Sequence, residues 1–143
     1  MSDLEVGQVL SLRIRFNNSG DISAVKHPYL IVDINHELNV IEIAQFDSLK
    51  GKAHKALFKS NKVVLQGDPP ETVIDEDSFV QLDNIIRVEN FDGIEALRRQ
   101  TDKLSQDKLN GVLKVYRDYH NKYEIDENKN VYMDQEEITS LNK

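Results

Sequence analysis

The chain has no cysteine in its 143 residues. That single absence removes disulfides, thiolate metal ligation and a thiol nucleophile together. It also has no run of about 18 apolar residues, the length a helix needs to cross a bilayer. The opening MetSerAspLeuGlu offers neither the basic region nor the apolar core of a secretory leader. A cytoplasmic protein without membrane contact is expected. Internal repeats and low-complexity linkers are missing too. So is an excess of basic charge: 18 Lys and Arg face 25 Asp and Glu, for a net charge of −7. That balance weighs against a general nucleic-acid binder.

The charge is unevenly placed, however. Between Leu49 and Lys62 lie Lys50, Lys52, Lys55, Lys59 and Lys62 with His54 and no acid, whereas residues 122–143 carry six acids against three lysines. Such a length makes one domain with a sizeable core. Residues 8–16 alternate so that Leu10, Leu12, Ile14 and Phe16 share a face, the pattern of a half-buried strand. Apolar-rich runs at 29–34 and 40–45, joined by AsnHisGluLeuAsn, predict a hairpin, and 62–66 a short strand stopped by GlyAspProPro. Near residue 92 the period changes. Asp92 and Glu95 have the spacing of a capping box opening a short helix, and Ser105 caps a longer one with Leu109, Val112, Leu113, Tyr116 and Tyr119 or His120 at helical spacing. A mainly β fold with a C-terminal helix is expected, a small SH3-like barrel over residues 1–121 followed by an acidic extension at 122–143.

Residues 78–89 are the most telling. If the strand is continuous, Val80, Leu82, Ile86 and Val88 face one way, and Gln81, Asp83, Arg87 and Glu89 the other; the stretch can also be two strands that meet near Asp83 and Asn84. An amide, a carboxylate and a guanidinium then share one strand face.

That segment resembles a strand pair of the PemK/MazF family of toxin endoribonucleases. ValGlyGlnValLeuSerLeu (6–12), LysHisProTyrLeuIleVal (26–32), ValIleGluIleAlaGlnPheAspSer (40–48) and the 104–116 segment are similar, in the same order, to that family's first strand, its arginine–proline–hydrophobic run, its third strand and its closing helix. The resemblance implies an SH3-like barrel acting as a homodimer. It also implies metal-independent cleavage of single-stranded RNA, with no cofactor, and an antitoxin protein that covers the RNA groove. It places Asp83 where PemK-type members have an acting acid, hence as candidate general base, and Gln81 where they have an arginine. His27 replaces the arginine before the proline. A histidine keeps acid–base ability but loses permanent charge, which Lys26 could restore. Phe46 aligns with the family's threonine or serine without a gap, and Asp47 or Ser48 only with a short insertion. Arg87 is a candidate cation, and Lys50, Lys52, Lys55 and Lys59 candidate phosphate contacts.

Plainer meanings stand beside each of these. Asp83 can be a solvated turn residue, Arg87 a surface salt bridge, His27 a strand-entry residue, and the lysine run a solvated loop. Tyr29, Phe46 and Phe58 can stack bases or fill the core. Asp126, Asn128, Asn130, Tyr132, Asp134 and Glu137 match calcium-loop spacing, but Val131 stands where that loop needs glycine, and the run is also turn material. The alternative to a ribonuclease is a catalytically degenerate barrel that binds protein or nucleic acid without cleaving.

Overall fold

The computed structural model describes residues 3–143, which form seven strands, two α-helices and three short 3-10 turns. The strands are β1 (Val9–Leu12), β2 (His27–Asn35), β3 (Val40–Ser48), β4 (Asn61–Val64), β5 (Ser78–Gln81), β6 (Ile85–Glu89) and β7 (Asn130–Met133); the helices are α1 (Gln106–Lys122) and α2 (Gln135–Leu141). The sheet runs β1-β2-β3-β5-β4, with β6 also on β3 and β7 beyond β6. All ladders are antiparallel except β6–β7. The β2–β3 hairpin is as the sequence predicts, its turn closed by Asn39 at φ +57°, a conformation asparagine tolerates.

The run Tyr29–Val32 is apolar without alternation because both faces of β2 are covered. Tyr29 and Ile31 pack with Leu10, Leu12, Ile41 and Ile43 on one face, while Leu30 and Val32 pack with Val9, Ala44 and Phe46 on the other. α1 covers the second face through Leu109, Val112 and Tyr116. Burial of each such side chain is worth about 1.5–3 kcal/mol. The first face is covered by Leu4, Ile94, Val131, Met133 and Ile138.

Residues 78–89 correct the expected single polar face. β5 and β6 both pair with β3, Val80 opposite Phe46 and Ile86 opposite Ile43. Between those pairs two residues of β3 match five of the β5–β6 segment, so three residues are extra. An odd insertion reverses a period-two pattern. Val80 and Leu82 therefore enter the core beneath α1, and Ile86 and Val88 the opposite one. Gln81, opposite Asn61, and Arg87, opposite Glu42, no longer share a side.

Other departures are local. The helix expected after Asp92 is one 3-10 turn, Ile94–Leu97, whose preceding Gly93 amide donates to Glu95 Oε2 at 3.1 Å. Ser105 precedes α1 without a side-chain cap; its own amide donates to Glu71 Oε1 at 2.7 Å. Residues 122–143 are no separate appendage. They supply β7 and α2, and Glu137 holds Arg15 at 2.7 Å. The calcium-loop spacing has a structural meaning: Asp126 and Asp134 cap the turns that follow them, and Asn130–Met133 is strand rather than loop. Among the described residues no strand ladder joins β1 to β4 or β7. Near that margin the Asn142 side chain accepts from the Arg13 backbone amide at 2.7 Å and donates to the Arg13 carbonyl at 3.0 Å. No helix is long and apolar enough to cross a membrane.

Candidate functional site

The pairing Tyr29↔Gln45, continued two residues, sets the start of β2 against the end of β3. There His27, Pro28, Phe46, Asp47 and Ser48 line one pocket of about 240 Å³. The segment before β5 forms the facing wall, with Ile74, Asp75, Glu76 and Ser78, and Arg99 enters from the chain between the 3-10 turn and α1. That wall is anchored at its base. Glu71, only 8% exposed, pairs with Lys108 of α1 at 3.1 Å, and Lys108 also donates to the Gln66 carbonyl at 2.9 Å. Burial pushes the Glu71 carboxyl up, but the Ser105 amide and Lys108 ammonium outweigh it and hold it below its ordinary range.

Within the pocket the groups differ in how they are held. Asp47 grips Lys52 with Oδ1 at 3.1 Å and Oδ2 at 2.9 Å, and accepts the Ser48 amide at 2.9 Å. Ser48 Oγ accepts the Lys50 amide at 3.0 Å, and its hydroxyl proton is left for another acceptor. Arg99 donates to the Val73 carbonyl at 3.4 Å and to Asp75 at 2.8 Å. The side chains of His27 and Glu76 line the same space and make no hydrogen bond or ion pair among the described residues. A histidine and a carboxylate without structural partners are able to exchange protons with a ligand.

The structure thus brings His27, Asp47 and Ser48 together, with Lys50 and Lys52 following directly. It does not bring Asp83 to them. Asp83 sits in the β5–β6 bend, ion-paired with Lys129 at 2.9 Å, and its hydrogen bond raises the Lys129 ammonium above its ordinary range. Arg87 is the salt bridge of the plainer reading, 3.0 Å from Glu42. Tyr29 and Phe46 are core residues; Phe58, half exposed, is the aromatic left for contact. Lys26 is exposed beside His27, outside the pocket lining, and Lys59 is exposed on the basic loop, where Lys55 is half-buried in a 3-10 turn. His54 meets Phe58 edge-on at 6.1 Å between ring centres, and Leu57 is 87% exposed on the same turn. Glu76 and Arg99 escaped the sequence reading. Neither stands in a strand pattern, and only the folded wall reveals them.

Compared with family models and with curated proteins, the chain matches none.

Proposed function

We propose that the chain is a metal-independent endoribonuclease for single-stranded RNA, an SH3-like barrel of the PemK/MazF kind that serves as the toxin of a cytoplasmic toxin–antitoxin pair. The observation that carries this reading is the convergence of His27, Asp47 and Ser48, from opposite ends of two paired strands, on one pocket containing two unpartnered titratable side chains. Its homodimer and its antitoxin partner rest on the resemblance alone.

In this reading the Glu76 carboxylate takes the proton of a ribose 2′-hydroxyl, whose oxygen attacks the adjacent phosphorus. The bond from phosphorus to the 5′-oxygen breaks, and protonated His27 gives that oxygen its proton. Ser48 donates its hydroxyl to a non-bridging oxygen, and Lys52, held by Asp47, supports the charge on the phosphorane. The products are a cyclic phosphate and a 5′-hydroxyl. Lys50, Lys55 and Lys59 meet neighbouring phosphates, and Phe58 meets a base.

One observation favours a barrel that binds without cleaving: Asp83, which the resemblance makes catalytic, is engaged with Lys129 outside the pocket. Purified protein incubated with a mixed RNA pool in EDTA separates the two readings. Cyclic-phosphate ends are expected. Activity abolished by EDTA, or equal activity on DNA, would overturn the mechanism, and intact RNA that is nonetheless retained would favour the binding module.

A further inference from the structure

We propose that Arg99 is the phosphate anchor of the His27 pocket and that Asp75 occupies it in the free protein, standing where a substrate phosphate binds. The inference rests on the ribonuclease reading for its substrate class, single-stranded RNA, but its anion-binding chemistry stands on the contacts themselves.

His27, before Pro28 at the start of β2, gives this end of the sheet no permanent charge. Lys52 does not fill the gap freely, because both of its contacts go to the Asp47 carboxylate. Arg99 is the one guanidinium that lines the pocket. Its backbone is fixed by the amide donating to the Val9 carbonyl at 2.9 Å, so the stem is tied to β1. Its Nη1 is steadied by Val73 and its Nη2 by Asp75, leaving the other N–H donors of the fork without a partner among the described residues.

The two members of the ion pair are unlike. Arg99 is 29% exposed and Asp75 is 79% exposed. The guanidinium is part of the wall, and the carboxylate is a surface group reaching back over it. An ion pair with one partner in solvent opens at small cost. A phosphodiester offers the same pair of oxygens to the same fork and pairs with arginine as a carboxylate does. Asp75 is therefore a competitor that keeps the cation oriented and that RNA displaces. Arg99 can then neutralise the phosphate while His27, Glu76 and Ser48 act on the bonds around it.

The test combines cleavage of the RNA pool with binding of a 2′-O-methyl oligonucleotide that cannot be cleaved, in wild type and in Arg99→Ala, Arg99→Lys and Asp75→Asn. Near-ultraviolet circular dichroism checks that each variant is folded. Expected are a loss of about 10²-fold in kcat/KM for Arg99→Ala, partial rescue by Arg99→Lys, and a binding salt slope shallower by about 0.7 in Arg99→Ala. Asp75→Asn should bind the oligonucleotide several-fold more tightly than wild type. If Arg99→Ala cleaves with wild-type kcat/KM and salt slope, the anchor is overturned while the ribonuclease reading stands. If no protein cleaves but Asp75→Asn still binds more tightly through Arg99, the anchor stands and the ribonuclease reading falls. Asp75→Asn binding no more tightly than wild type overturns the displacement model outright.

Discussion

Two polar clusters lie on this sheet, and they are built oppositely. Under α1, Tyr116 donates its hydroxyl to Glu42, Glu42 pairs with Arg87 at 3.0 Å, and His120 Nε2 lies 2.6 Å from the Leu82 carbonyl while its ring packs tilted against Tyr116, 4.0 Å between ring centres. Every member there has a protein partner. Burial first, and the Glu42 charge second, push the Tyr116 hydroxyl far above its ordinary range, so it stays protonated and donating. At the other end of β3, His27 and Glu76 have no such partner among the described residues. Both clusters have a histidine, at least one carboxylate and an arginine, so those residue types do not distinguish them. Whether the fold has already satisfied the groups does. A saturated cluster holds elements together, whereas an unsaturated one is ready to receive a ligand.

The comparison can be broken from the holding side first, where the largest effect is expected. Deleting 123–143 removes Val131, Met133 and Ile138 from the first core face. Each is worth about 1.5–3 kcal/mol against a total stability of about 5–15 kcal/mol. The truncated chain should lose its cooperative thermal transition; a sharp melt near that of the full chain would contradict this account of the core. Next, Tyr116→Ala should cost about 3–5 kcal/mol in denaturant unfolding, and Tyr116→Phe about 1–3 kcal/mol by leaving Glu42 short of a donor. Neither should alter RNA cleavage per folded molecule.

The pocket should behave the other way round. His27→Ala is expected to lower kcat/KM by about 10²-fold, about 2.7 kcal/mol of transition-state stabilisation. The melting temperature should hardly move. Equal destabilisation by His27→Ala and Tyr116→Phe would erase the distinction between the clusters. A smaller effect is expected on the rim: Lys59→Ala should weaken RNA binding a few-fold and make the salt slope shallower by about 0.7, with turnover at saturation unchanged. Smallest under ordinary conditions is the contribution of Tyr29. Burial pushes its hydroxyl up to about 12, although a hydrogen bond with Ser23 works against this. Its stabilisation is complete below the unfolded phenol value of about 10 and is lost as pH climbs from there to about 12. Stability measured by denaturant at successive pH values should fall across that window.

The strands and α1 were legible because their cores impose period. Leu109, Val112 and Tyr116 recur at helical spacing, and Leu10 and Leu12 alternate. A break near Asp83 and Asn84 was legible as an alternative, but the reversal of face between Leu82 and Ile86 was not, since five residues lie between Val80 and Ile86 and only the pairing with β3 reveals the three-residue excess. The same hidden bend removes Asp83 from the pocket to which the resemblance assigned it. His27, Asp47 and Ser48 were readable from strand order. Glu76 and Arg99 were not, because they enter the site from irregular segments whose positions depend on contacts with Lys108, Val9 and Val73.

The parallel seam between β6 and β7 joins residues 85–88 to residues 130–133, forty-five positions later. During synthesis the half of the protein beneath α1 can assemble as soon as that helix has left the ribosome, because its strands and its cover all precede residue 122. The opposite half cannot. Ile41, Ile86 and Val88 wait with one apolar flank open for the arrival of Val131, Met133 and Ile138. Until those residues dock, the apolar strip that β7 and α2 cover stays open to solvent.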